Sequence, residues 1–174
     1  MAHFYASIPE TIRALTDSQA VDRYIEGAEV PGRAIAGLNR EQLLARPIAG
    51  TWSIQEIVVH LMDSDLISAY RMKRIIAEDR PTLDVWDENA FAARLGYDKI
   101  AATQATELFR LNRLVMGRVL RALPSAAFER VALHPEIGEL PLGALLRLYV
   151  HHLDHHMAFL QKKRAMLSGM EQGR

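Results

Sequence analysis

Trp52-Ser53-Ile54-Gln55-Glu56-Ile57-Val58-Val59-His60-Leu61-Met62-Asp63-Ser64 begins with a helix start that can be read residue by residue. Ser53 and Glu56 have capping-box spacing: the serine hydroxyl serves an amide of the first turn and the glutamate reaches back to the cap. Trp52, just before the cap, is placed to act as a hydrophobic staple. Good helix formers carry the run to about Glu78. It stops before Pro81, because proline cannot supply the amide hydrogen that a continuing helix needs.

The rest of the chain reads the same way. A first helical region runs from about Asp17 to Leu38, with Asp17 or Ser18 as its cap and an interruption at Pro31-Gly32. Asn39 with Glu41 to Arg46 forms a short turn before Pro47. Arg80 to Asp98 is a loop with a helical turn over Asp87–Arg94. A third helix spans about Lys99 to Leu123 and ends at Pro124, followed by a turn at Ser125–Arg130. His134 to Glu139 reads as a loop, and Pro141 suits the first turn of a fourth helix that runs to about Leu167 and ends at Gly169. No segment reads as a series of alternating strands. Helices of ~20–26 residues, longer than the ~12-residue average, predict an all-α helix bundle.

Composition narrows the function. At roughly 150 residues per domain, 174 residues make one domain over 1–174. With 49% hydrophobic and 24% charged residues the chain is an ordinary globular one. Lys plus Arg and Asp plus Glu both number 21, so the basic excess expected of a nucleic-acid or anionic-membrane binder is missing. There is no cysteine, which excludes disulfides, thiolate nucleophiles and Cys-ligated metals. No run approaches the ~18 apolar residues that span a bilayer. The opening Met1-Ala2-His3-Phe4-Tyr5-Ala6 lacks a basic stretch followed by an apolar one. A cytoplasmic protein is expected.

Four of the seven histidines (His151, His152, His155 and His156) fall within six residues of the fourth helix. At ~100° per residue, with His151 at 0°, His152 lies near ~100° and His156 near ~140°, inside an apolar arc centred near ~160–170°. His151 points outward and His155 sits at the border. Two imidazoles one turn apart can reach one metal ion. The alternative is a pair of hydrogen-bonded core histidines, which needs two sets of partners. His60 is the candidate from another helix. It sits about 110° from the centre of its own apolar arc, a position suited to a ligand at a site open to solvent on one side. Asp63 has the reach to hold an imidazole N–H or else is an exposed carboxylate. Asp65 falls inside the apolar arc and is placed to pair with an arginine across the bundle.

The Trp52–Ser64 segment resembles the W-S-hydrophobic-x-E…H…D-S element of the DinB/YfiT-like superfamily. His134-Pro135-Glu136, the later His152/His156 H-x-x-x-H pair, and Pro81-Thr82 with Trp86-Asp87-Glu88 are similar in character to that family as well. The likeness runs from about Thr51 to Leu160. It implies a four-helix bundle with two long crossovers in the down-up-up-down sense, often dimeric. Carried over by position, it implies His60, His152 and His156 as three ligands of a divalent metal. The chain departs from the family pattern at His151 and at Leu153-Asp154.

Three imidazoles leave coordination positions open, the catalytic rather than the structural pattern. Zinc or nickel suits nitrogen ligands of this kind. The expected protein is a metal-dependent hydrolase acting on a small molecule. A transferase or isomerase using a low-molecular-weight thiol is the alternative, and a non-catalytic metal-binding bundle is the second. Glu56 lies one turn before His60 but already has the capping role. Arg71 reads as an anion anchor or a surface salt bridge, and Trp86 with Asp87 as the rim of an entrance.

Overall fold

Two short helical segments, Ala2–Ala6 and Glu10–Arg13, open the computed structural model, which describes residues 2–172. They lead into α1 (Asp17–Glu26). Neither Asp17 nor Ser18 caps α1. Thr16 does: its hydroxyl accepts from the Gln19 amide at 3.2 Å, and the Gln19 side chain accepts from the Thr16 N–H at 2.8 Å. The helix breaks at Gly27, where a 3-10 turn (Gly27–Glu29) feeds the segment Val30–Ile35. Pro31 lies in the first turn of that segment, where its missing N–H costs nothing, so the interruption falls before the proline. Asn39 caps the expected short turn Arg40–Leu44.

α2 (Ile54–Ala77) starts on the Ser53/Glu56 capping box. The turn Glu88–Arg94 is capped by Asp87. α3 (Ala102–Arg121) starts later than its pattern suggests, because Tyr97–Lys99 form a separate 3-10 turn, and it ends just short of Leu123. The segment before the last helix is a hairpin, not a loop. β1 (Val131–His134) pairs antiparallel with β2 (Gly138–Pro141), His134 opposite Gly138, and Gly138 takes φ +83° at the turn. Four-residue strands are too short to show an alternation. α4 (Leu142–Gln172) passes through Gly169. A single glycine weakens a helix by about 1 kcal/mol and does not stop it.

Pairwise contacts define the bundle. α1 packs on α3 and α4, and α2 packs on the same two, so α1 and α2 lie across one diagonal. Asp22 with Arg121 and Gly27 with Arg113 make α1 antiparallel to α3. Asp17 with Arg147 and Arg23 with Asp154 make α1 parallel to α4. Gln55 near Asp98 and Asp65 near Arg113 make α2 parallel to α3. Thr51 near Lys163 and Arg71 near Tyr149 make α2 antiparallel to α4. The sense is therefore down-up-up-down: α1→α2 and α3→α4 cross the diagonals between antiparallel helices, and α2→α3 runs the length of the bundle to join a parallel pair. Among the described residues no helix is long and apolar enough to cross a membrane.

The interior forms two apolar blocks. One gathers Val21, Met72, Ile75, Leu120 and Leu145. The other gathers Ile54, Val58, Phe109, Leu153 and Leu160. A polar layer lies between them. In it Asp65 and Arg113, each about 1% exposed, pair at 2.9 Å. Tyr24 and Asn112 add hydrogen bonds to the same carboxylate, at 3.3 Å and 2.7 Å. Burial pushes the Asp65 carboxyl above its ordinary range, and Arg113, Asn112 and Tyr24 pull it back. The pairing expected for Asp65 is thus present.

Gly27 lets α1 approach this layer. A Cβ there would lie 2.6 Å from both the Arg113 Nη1 and the Leu153 Cδ2. Arg113 cannot yield without loosening Asp65. Gly27→Ala is therefore expected to cost ~1–3 kcal/mol, the range for overpacking, read as a lowered urea midpoint with unchanged slope. An unchanged midpoint would show that the guanidinium is free to move.

Candidate metal centre

The antiparallel contact of α2 with α4 brings His60 against His152 and His156. His60 Nε2 and His152 Nε2 are 3.2 Å apart. One ring nitrogen from each of the three residues lies within 4.8 Å of the other two. Ring centroids are 5.1, 4.6 and 4.5 Å apart. A tetrahedral shell with metal–nitrogen bonds of ~2.0–2.1 Å sets its nitrogens ~3.3 Å apart, so the His60–His152 spacing fits a shared cation.

His60 does not sit at a solvent edge: it is 0% exposed. Trp52 lies 4.8 Å away on one side and Trp86 stacks at 5.8 Å on another. The helical wheel missed these covers because they come from loops. Burial lowers the His60 pKa to about 4. Burial first, then the neighbouring rings, holds His152 and His156 well below the ordinary histidine range. All three are neutral and offer lone pairs. They are not a conventionally satisfied core cluster, because the buried His60 Nδ1 has no hydrogen-bond partner among the described residues.

This electrostatics has a consequence for the metal-free protein. Above the unperturbed value of 6.5, folded and unfolded rings are both neutral. As pH falls from 6.5 toward 4, the unfolded His60 takes up a proton that the folded one refuses. Stability is therefore lost on acidification through this window, at up to ~1.4 kcal/mol per pH unit for each buried ring. Urea unfolding of chelator-treated protein at a series of pH values measures it, and a flat profile would contradict neutral burial.

The other sequence candidates separate clearly. Phe4 stacks on His151 at 4.9 Å, and Ser7 Oγ lies 3.4 Å from the His151 ring. His151 thus stays outside the cluster, as its wheel position predicts, and His155 only borders the neighbouring cavity. Asp63 accepts a hydrogen bond from the Tyr97 hydroxyl at 2.6 Å and does not hold the His60 ring. Glu56 is engaged by the cap and by Arg46 at 2.6 Å. Among the described residues Arg71 forms no surface salt bridge. It is 3% exposed and donates to the Tyr149 hydroxyl at 3.5 Å and to the Asp84 carbonyl.

A cavity of about 300 Å³ opens beside the cluster, with His152 and His156 in one wall and Trp86 and Asp87 at its side, as the sequence places them. Among the lining residues that sequence reasoning missed, two stand out. Phe4, from the N-terminal segment, lines it. Glu88 lines it too, its Oε2 3.9 Å from His60 Nε2, on the face where the three rings converge. Partial burial raises the Glu88 carboxyl, and the charge of Asp87 raises it further. The only early signal of Glu88 was its place in the Trp86-Asp87-Glu88 triplet. Neutral nitrogens, an adjacent carboxylate and an aromatic-walled cavity form a set able to seat a cation and a small molecule together.

The family described as the DinB superfamily matches residues 28–160. A "putative metal-dependent hydrolase" from Oceanobacillus iheyensis is 29% identical over 126 residues, 72% of this chain and 73% of the relative. A protein of the same description from Bacillus licheniformis is 30% identical, covering 75% of each chain. Among solved structures, YfiT from Bacillus subtilis, described as "a probable metal-dependent hydrolase with an unusual four-helix bundle topology", superposes with a TM-score of 0.80 at 26% identity. That match covers 89% of this chain and 91% of the other.

Proposed function

The chain belongs to the DinB superfamily, and on that footing we propose that His60, His152 and His156 hold one divalent cation, zinc or nickel, in a metal-dependent hydrolase of small molecules. The observation that carries this reading is the 3.2 Å approach of two buried imidazole nitrogens with a third ring beside them. The names carried by the relatives support it. A divalent ion held by these three rings would supply Lewis acidity at this wall of the cavity.

The chain's own residues supply the rest. The three neutral rings offer nitrogens without first having to lose a proton. Trp52 and Trp86 keep water away from His60. Glu88 Oε2 faces the reacting side and accepts the proton released there. Glu88 opens a short helix whose start Asp87 ties down with hydrogen bonds of 2.9 and 3.1 Å, so its position is set by the backbone.

The test combines elemental analysis with a panel of activated esters and anilides, run beside a thiol-plus-electrophile panel. The expected result is about one divalent ion per chain and thiol-independent hydrolysis. Glu88→Gln is expected to lower kcat ~10²–10⁴-fold, the usual range for loss of a general base, while the ion is retained. Turnover that requires added thiol would move the reading to group transfer. A loaded protein inert on both panels would leave a metal-binding bundle.

A further inference from the structure

We propose that Arg71 and His134 form a carboxylate-binding subsite in the cavity beside the three histidines, and that the substrate carries a carboxylate at that end. The second half of this statement rests on the metal-dependent reading above; the first does not.

Both side chains are almost wholly buried, at 3% exposure each, and both line the cavity. The guanidinium of Arg71 has two neutral partners, the Tyr149 hydroxyl and the Asp84 carbonyl. Those contacts fix its orientation, and among the described residues no carboxylate pairs with it. His134 ends β1, where its Nδ1 accepts a hydrogen bond from the Glu136 backbone N–H at 3.2 Å. That bond places the proton of the neutral ring on Nε2. The Nε2–H is buried and meets no acceptor among the described residues. A buried donor left unmade costs about 1–3 kcal/mol, and a substrate oxygen there would recover it. Arg71 and His134 are also near enough that the arginine charge helps keep the imidazole neutral, after the larger effect of burial.

Placement links this pair to the candidate centre. His60, Ser64 and Arg71 follow one another along α2, and Ser64 lines the same cavity. Eleven residues of helix between His60 and Arg71 amount to about 16 Å of rise, and a long side chain leans back toward the helix start. From α4, Tyr149 stands between the two ends, 5.6 Å from the His152 ring and hydrogen-bonded to Arg71. One small molecule can therefore touch both. Two carboxylates, Glu88 and Glu136, line the same cavity. The negative charge of Glu88 argues for a singly charged group and against a phosphate dianion. An arginine fork with one further N–H donor matches the oxygens of a carboxylate.

The test is a titration of full-length protein, ring-labelled at histidine, with butyrate, butyramide and inorganic phosphate, followed by NMR. It is run on protein with its resident metal and again after chelation. Butyrate is expected to move the His134 Nε2 signal saturably in both forms, and to bind at least tenfold more tightly than butyramide or phosphate. Arg71→Met should weaken butyrate at least tenfold, with Arg71→Lys intermediate. The comparison of butyrate with butyramide on the unmodified protein stands even if Arg71→Met fails to fold. Equal binding of acid and amide, or butyrate shifts confined to His60, His152 and His156, would overturn the subsite while leaving the metal reading intact. A His134 response in a protein that never takes up metal would overturn the metal reading and keep the subsite.

Discussion

His152→Ala is expected to strip the divalent ion from the protein, reducing metal content from about one per chain to background. His152 is the hub of the cluster: its Nε2 is 3.2 Å from that of His60, and its ring lies 4.5 Å from that of His156. Removing it leaves two nitrogens from two helices and opens the shell to water. The loss should exceed the ~10–100-fold in affinity that removal of an outer-shell partner alone costs. His151→Ala is the matched control. One residue away on the same helix, it stacks on Phe4 outside the cluster and should retain the ion. Elemental analysis after dialysis separates the two. If His151→Ala loses the metal and His152→Ala keeps it, the assignment of ligands is wrong.

The largest effect on stability is expected at the polar layer. Arg113→Met leaves the Asp65 carboxylate buried with only Asn112 and Tyr24 for company. Breaking a buried ion pair by removing one partner typically costs ~3–5 kcal/mol, because the other charge remains desolvated. For a chain of this length each kcal/mol is worth about 2–4 °C, so Tm should fall by roughly 6–20 °C. The double variant Asp65→Leu/Arg113→Met should recover much of that loss, since no charge is then left unpaired. Calorimetry of the two single variants and the double variant completes the cycle. A single variant as stable as the parent would show that water reaches Asp65.

The helices were legible because their signals are local. Ser53 and Glu56 announce α2 within four residues, and the His152/His156 spacing selects the inward face of α4 without reference to any other element. Asp65 stood out because a carboxylate on an apolar arc needs a partner. What the sequence concealed is non-local or short. The covers on His60 come from Trp52 and Trp86 in loops, so a wheel drawn for α2 alone put the ring at a solvent edge. The hairpin that positions His134 has four-residue strands and no visible alternation. Arg71 reads as either an anion anchor or a surface salt bridge until the Val85–Trp86 loop packs beside it, and Glu88 has no periodic pattern to betray it. Thr16 was overlooked as a cap because Asp17 and Ser18 beside it are equally good cap residues by type.

His60 and His152 are separated by 92 positions in the chain yet nearly touch. A cation gripped by both is a cross-link made after synthesis, tying the first half of the polypeptide to its last helix in a protein that has no cysteine to do so. Unlike a disulfide, such a clasp does not persist in the unfolded chain; it stabilises by binding the folded state alone. Its strength tracks the free ion in the surroundings: about 4 kcal/mol at a thousandfold excess over Kd, and nothing when the ion is withdrawn. Scarcity of the metal would thus shorten the lifetime of the molecule.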